Sequence, residues 1–345
     1  MKVRFGASYR VGAQGQERVA WVRAERVRAL AVGGGDVMAK CFVCGGSCET
    51  GELLQSPIRE LDNAIAASPY RISVNATAAL RGIVATKSLH LEFCSCKKLR
   101  ARIVLERSAV QLGLPFLEVL WAAAHAYIVI FDECQQAEKR GEGHVSIGGL
   151  PRTALAYSLY RELLQRHAAG QPGEWPLAEL RPVRLPTPDT DAFVANELFL
   201  VAVSWLIHHE IAHARLEHKI PSASPQSEEN DADRMATRWV CGDTTEAGPL
   251  HKSALGIATA VLLLVAYDLE AGRIYSDSHP PAFERLLLSL DETGLDEDST
   301  VYAFAFKLVE IHLLQLGFTP DFGRSGTHRD KCVGVCLLVR DAAHG

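Results

Sequence analysis

The chain has 345 residues, 48% hydrophobic and 22% charged, with 36 basic against 41 acidic side chains and a formal net charge of −5. That balance describes a globular chain large enough to bury a substantial core. It argues against nucleic acid as a partner, because a nucleic-acid surface needs a basic face. The first residues are charged and glycine-containing, not a basic stretch followed by an apolar run, so no targeting segment is expected and the chain reads as cytoplasmic.

In chain order, residues 1–55 are glycine-rich and irregular, with a locally basic start. Nine cysteines in a chain of this kind point to reduced thiols or metal instead of a disulfide scaffold. Cys41, Cys44 and Cys48, together with Cys94 and Cys96, form a candidate second metal cluster, although the C-x-C half departs from the usual zinc spacing. Residues 71–76 and 82–93 carry β-branched and alternating apolar positions and predict strands. Residues 114–137 and 152–168 predict helices. Between them, 141–150 predicts a hairpin or an edge strand, and 180–185 is a competing edge strand just before the next helix.

Further helices are expected near 251–270, 281–290 and 300–316, with an acidic loop at 291–298. Residues 119–131 and 253–267 are uncharged for 13 and 15 residues. Both fall short of the roughly 20 residues a membrane span needs, so they predict buried helices and no transmembrane segment, with peripheral membrane association left open. Cys134, Cys241, Cys332 and Cys336 read as ordinary hydrophobic positions. The fold class is α+β and predominantly helical. A region of uncertain fold with the cysteine-rich segments (1–110) precedes a mainly helical domain (111–345).

The informative segment is His209-Glu210-Ile211-Ala212-His213. It sits in a run from 191 to 218 that nothing breaks, where Phe193, Leu198, Val201, Leu206, Ile207 and Ile211 recur at near-helical spacing. Asp189 or Thr190 can cap its start, and Pro221 bars its continuation. Residues four apart lie one above the other on a helix, so His209 and His213 can offer two imidazoles to one Zn²⁺. Glu210 then falls beside the open coordination position as general base. A buried helix with two satisfied histidines would explain the apolar run but not the glutamate between them.

A second helix is expected from about Ser227 to Cys241, with acids in its first turn and Gly242 after its end. Glu229, sixteen residues after the motif, is the candidate third ligand, with Glu228 and Asp231 as alternatives. Asp233, one turn later, can accept the outer N–H of a liganding histidine. Ala232 and Ala236 leave room for close contact with the first helix. His218 makes a further H-x-x-x-x-H spacing, but on a continuing helix it lies about 140° round from His213 and cannot share its metal. It is therefore expected to be exposed or locally packed, as is His208.

H-E-x-x-H followed by E-x-x-A-D-x-x-A resembles the gluzincin metallopeptidases, especially the CAAX-prenyl-protease and HtpX branch. Ser278-His279-Pro280-Pro281-x-x-x-Arg285 is similar to the H-P-P-x-x-x-R segment of those families. Glu197-Leu198-Phe199-Leu200, His208 to His213 and Glu228 to Asp233 most resemble the Lit-type phage-exclusion peptidases, over residues 190–290. The resemblance implies a zincin-like core with a small sheet N-terminal to the two site helices. It implies Zn²⁺ on His209, His213 and Glu229, Glu210 as general base and proton donor, and Asp233 behind a histidine. His279 would contact substrate or oxyanion, or else cap the helix after it, and Arg285 would pair with a carboxylate in the fold. The expected activity is a zinc-dependent endopeptidase acting on an intracellular protein or peptide in anti-phage abortive infection, the family target being a translation elongation factor. The alternative is a zinc-bound regulatory or binding protein that keeps the fold without proteolysis.

Overall fold

Three helices too apolar to face water on every side organise the molecule: α3 (Leu114–Lys139), α5 (Asp191–Arg215) and α7 (Ala247–Ala271). The computed structural model describes residues 2–4, 56–73, 76–96, 100–104, 108–142, 144–171, 173–218, 224–242, 246–272, 274–276, 279–319 and 326–342. By length and composition each of the three could cross a membrane, so the reading that the apolar runs are too short holds only for their strictly uncharged stretches. In this fold 94%, 72% and 72% of their apolar windows are buried against protein.

Around them stand α1 (Asp62–Ile72), α2 (Thr77–Lys87), α4 (Pro151–Ala168), α6 (Pro225–Cys241), α8 (Ala282–Glu292), α9 (Thr300–Gln315) and α10 (His328–Ala342). Helix α5 packs against α1, α3, α6 and α7, which explains why it is apolar on nearly every face. One buried cluster runs from Ile58 through Trp121, Trp205 and Leu263 to Val339. Helices α5 and α7 approach closely at Gly256. A Cβ there would stand 2.3 Å from Val201 Cγ1, so any side chain would force the helices apart.

Among the described residues the strands are few. Strand β1 (Lys2–Arg4) pairs antiparallel with β5 (His144–Ser146). A second sheet has the order β2-β4-β3, with β2 (His90–Cys94) parallel and β3 (Ala101–Val104) antiparallel to β4 (Ala109–Gly113). The molecule is predominantly helical with a small sheet N-terminal to the long helices.

Of the expected strand at 71–76, residues 71–72 are the end of α1, 73 and 76 belong to no strand and 74–75 lie outside the described residues. Of that at 82–93, residues 82–87 are helix and only 90–93 coincide with β2. Ile72, Ile83 and Val84 pack at the margin of the core, on the helices that bury Tyr70 and Leu80. Alternation over so short a run does not outweigh that tertiary contact. Residues 180–185 form no strand: Trp175 Nε1 donates to the carbonyls of Leu177 and Leu180, and Asn196 Nδ2 to that of Val183. Pro182 removes a ladder donor in the same stretch. Part of 141–150 is strand β5, but it pairs with β1 and lies against α3. The strand that reaches the motif on α5 is β3.

Candidate metal centre

Thr190 starts α5 by accepting the Phe193 N–H, and α5 then carries His209, Glu210 and His213 to its C-terminal end. Pro225 occupies the first turn of α6, where its missing N–H costs nothing, and this helix brings Glu229 and Asp233 to face them. Ala232 and Ala236 are fully buried and let α6 approach α5 closely.

His209 Nε2 and His213 Nε2 lie 3.2 Å apart. Glu229 completes a triangle, with Oε2 3.3 Å from His209 Nε2 and Oε1 3.4 Å from His213 Nε2. Ligand atoms on a tetrahedral zinc, about 2.0–2.1 Å from the metal, stand about 3.3–3.4 Å from one another. The three side chains therefore have the mutual spacing of three corners of such a site, with the carboxylate turning one oxygen towards each histidine. Glu229 Oε2 is buried and faces positive or proton-bearing groups, 3.3 Å from His209 Nε2 and 3.8 Å from Arg285 Nη2. The donor set, two imidazoles and a carboxylate whose atoms converge within 4.8 Å, fits a metal ion.

The surroundings hold these groups in place. Asp233 Oδ1 lies 2.8 Å from His209 Nδ1, which turns Nε2 of that ring towards the triangle. Arg285, from α8, grips Asp233 with two bonds: Nε to Oδ2 at 2.7 Å and Nη2 to Oδ1 at 2.8 Å. It also reaches to 3.8 Å from Glu229 Oε2 and lies over the Trp205 ring at 6.0 Å. Burial alone would raise the Asp233 pKa, but Arg285 and His209 hold it below the ordinary carboxylate range. Glu229 is likewise held well below it, against burial, by His209, His213 and Arg285. Burial opposes a charge on His209, yet Asp233 and Glu229 lift it to about 10 in the absence of metal. The two carboxylates outnumber the one arginine, and the proton on His209 that balances them stands where a cation would be favoured.

Glu210 projects from the same turn, and its Oε2 accepts the backbone N–H of Ile103 on β3 at 2.7 Å. This contact ties the edge of the sheet to the motif. His279 stands outside the triangle, its Nε2 3.5 Å from Glu229 Oε1, and burial lowers its pKa. Side-chain exposure rises from 0% at Asp233 through 7% at His209, 11% at Glu229 and 18% at His213 to 55% at His279. The site therefore opens on the His279 side.

Glu228 and Asp231, the alternative ligands, lie outside the convergent trio. His208 is fully buried, bonded through Nε2 to Ser73 Oγ at 2.7 Å and edge-on to Trp239, so the reading of it as exposed or locally packed is corrected. His218 is locally packed, as expected, but by a different route. The helix does not continue to it but ends at Arg215, and its ring returns to His213, Nδ1 to Nδ1 at 2.9 Å. The contacts of Ile103 and His218 have no signature in residue spacing, because one is made by a backbone amide and the other by a helix that stops early. Of the proposed cysteine cluster, Cys41, Cys44 and Cys48 lie outside the described residues. Cys94 and Cys96 are buried thiols at the end of β2.

No solved structure matches this chain. The family model described as Peptidase U49 matches residues 110–305, a span that contains every site residue above except Ile103. The chain is also 31% identical over 239 residues to the cell death peptidase of Escherichia coli (strain K12), covering 68% of this chain and 80% of that protein. A match over more than half the chain, joined to an alignment of this extent, is decisive: the chain belongs to the Peptidase U49 family and is a peptidase.

Proposed function

We propose that this peptidase is a zinc-dependent endopeptidase that uses His209, His213 and Glu229 to hold the metal. The strongest support is the near-equal spacing of 3.2, 3.3 and 3.4 Å among their ligand atoms, with a glutamate on the same helical turn. When bound, zinc supplies Lewis-acid polarisation and a water whose pKa is near ~7. Glu210 accepts the proton of the attacking water and returns it to the leaving amine. The Ile103 N–H orients that carboxylate. His279, at the open side, donates to the carbonyl oxygen of the scissile bond as charge builds there. Asp233 and Arg285 keep the His209 ring in register and the carboxylates ionised.

An extended substrate lies along the outer edge of β3, which among the described residues pairs with β4 alone. The resemblance to the Lit-type peptidases supports a role in anti-phage abortive infection, with an intracellular protein such as a translation elongation factor as target, and the similar E. coli protein is by its name a cell death peptidase. The same reading, on the family resemblance, takes the reaction to be cytoplasmic; that 94%, 72% and 72% of the three apolar windows are buried inside the protein is consistent with it. The test compares cells expressing wild type with cells expressing Glu210→Gln, reading newly created protein N-termini and the zinc content of each purified protein. Loss of the new termini by at least 100-fold with zinc retained is expected. Unchanged cleavage by the variant overturns the mechanism.

A further inference from the structure

Helix α5 ends in a left-handed turn that returns the chain onto its own metal-facing histidine. Leu216 N–H bonds to the Ala212 carbonyl at 2.8 Å, Glu217 has φ 57°, and His218 N–H bonds back to the His213 carbonyl at 3.1 Å. This six-to-one bond across a left-handed residue is a helix C-cap in which the side chain two places beyond the cap folds against the one three places before it. Ordinarily that contact is between two hydrophobic side chains. Here both are histidines, His218 and His213, with rings 5.0 Å apart and inclined by 69°.

We infer that His218 is the positioning residue for His213, the counterpart of Asp233 behind His209; this rests on the metal-site reading above. The tautomers follow from the geometry. His213 turns Nε2 into the triangle, 3.4 Å from Glu229 Oε1, and Nδ1 out towards His218. A neutral imidazole that offers Nε2 to a metal carries its proton on Nδ1. At 2.9 Å that proton is donated to His218 Nδ1, so His218 is the acceptor and carries its own proton on Nε2. His218 is then no ligand, because its inward nitrogen is engaged and the whole His213 ring separates it from the trio. Its effect is to fix the rotation of the His213 ring and to make its Nε2 a better donor. The two histidines are thus supported differently: His209 by a buried anion clamped by Arg285, His213 by a neutral ring at the helix end. The second support is half-buried and lies next to the open side of the site, so it can be replaced without disturbing the core.

The test measures zinc affinity of the full chain by competition with a chromophoric chelator, beside the melting temperature of the metal-free protein. His218→Phe keeps the ring volume and removes the acceptor, and is expected to weaken zinc binding 10–100-fold with unchanged metal-free melting. His218→Asn places an oxygen where Nδ1 was and should return affinity to within a few-fold of wild type. His218→Gln, whose oxygen falls one atom too far, should not. Equal affinity of the Phe variant and wild type, or equal loss in the Asn and Phe variants, overturns the assignment. His213→Ala is the control: if it retains full zinc, the metal site itself is wrong, whereas zinc loss there with none in His218→Phe refutes only the positioning role.

Discussion

His208 and His209 are consecutive residues on one helix, yet the fold treats them as different chemical species. His208 points into the contact with α1 and α6, where burial drives its pKa down to about 3 and its partner is the neutral Ser73 hydroxyl. His209, about 100° further round the helix, faces Asp233 and Glu229, which lift it to about 10 despite equal burial. The core histidines His125, His167 and His312 follow the first pattern, lowered by burial to about 4, 4 and 3. Burial alone therefore makes a histidine a neutral core residue. It takes buried anions, themselves kept ionised by an arginine, to make one a place for a cation.

The largest effect should come from exchanging the two fates by mutation. His209→Ala is expected to abolish stoichiometric zinc, whereas His208→Ala keeps it and loses only stability, as read by metal analysis and urea unfolding. Zinc retained in both would end the distinction between them. Next, Asp233→Asn breaks a fully buried pair with Arg285 and should cost about 3–5 kcal/mol in metal-free unfolding free energy. The matching change behind the other histidine, Ser73→Ala, leaves a neutral ring without one partner and should cost about 1–3 kcal/mol. A larger cost for Ser73→Ala than for Asp233→Asn would show that the anion is not what separates the two sites.

The smallest and most discriminating effect is on pH dependence of the metal-free protein. His208 has a folded pKa below its unfolded value near 6.5, so its contribution to stability is present above that value and is lost as pH falls towards about 3. His125, His167 and His312 add to this acid limb. His209 has the opposite sign. Its folded pKa lies above the unfolded value, so its contribution is complete below pH ~6.5 and is lost as pH rises through about 10. Melting temperatures recorded from acid to alkaline pH should therefore fall on both sides. Asp233→Asn should flatten the alkaline limb, and His208→Ala should make the acid limb shallower. An alkaline limb that survives Asp233→Asn would mean that His209 is not held charged by that carboxylate.

How much of this was legible depended on whether a feature is local. The spacing of His209, Glu210 and His213 needs only helical periodicity, and the apolar run with Thr190 before it announces that helix. Asp233 one turn after Glu229 is legible for the same reason. The helices at 114–139, 151–168, 247–271, 282–292 and 300–315 follow expectation within a few residues, because long apolar patterns leave few alternatives. The segments around Ile72, Ile83 and Val84 misled, because a short β-branched run is compatible with either period and its packing partners decide. Strands β3 and β4 went unseen, since four or five residues become a strand only when paired with each other.

By itself, then, the sequence determined which residues could chelate and on which helices they stand, because those relations lie within one or two turns of a single element. Tertiary structure alone decided the rest. It swung His208 into the core, laid the β3 amide of Ile103 against Glu210 and brought Arg285 from 52 residues away onto Asp233. It also ended α5 at a left-handed Glu217, which no glycine marks, and so turned His218 from the far side of a presumed helix onto His213. Each of these depends on which surfaces exclude water together, and that is set by the packed chain, not by the spacing of its residues.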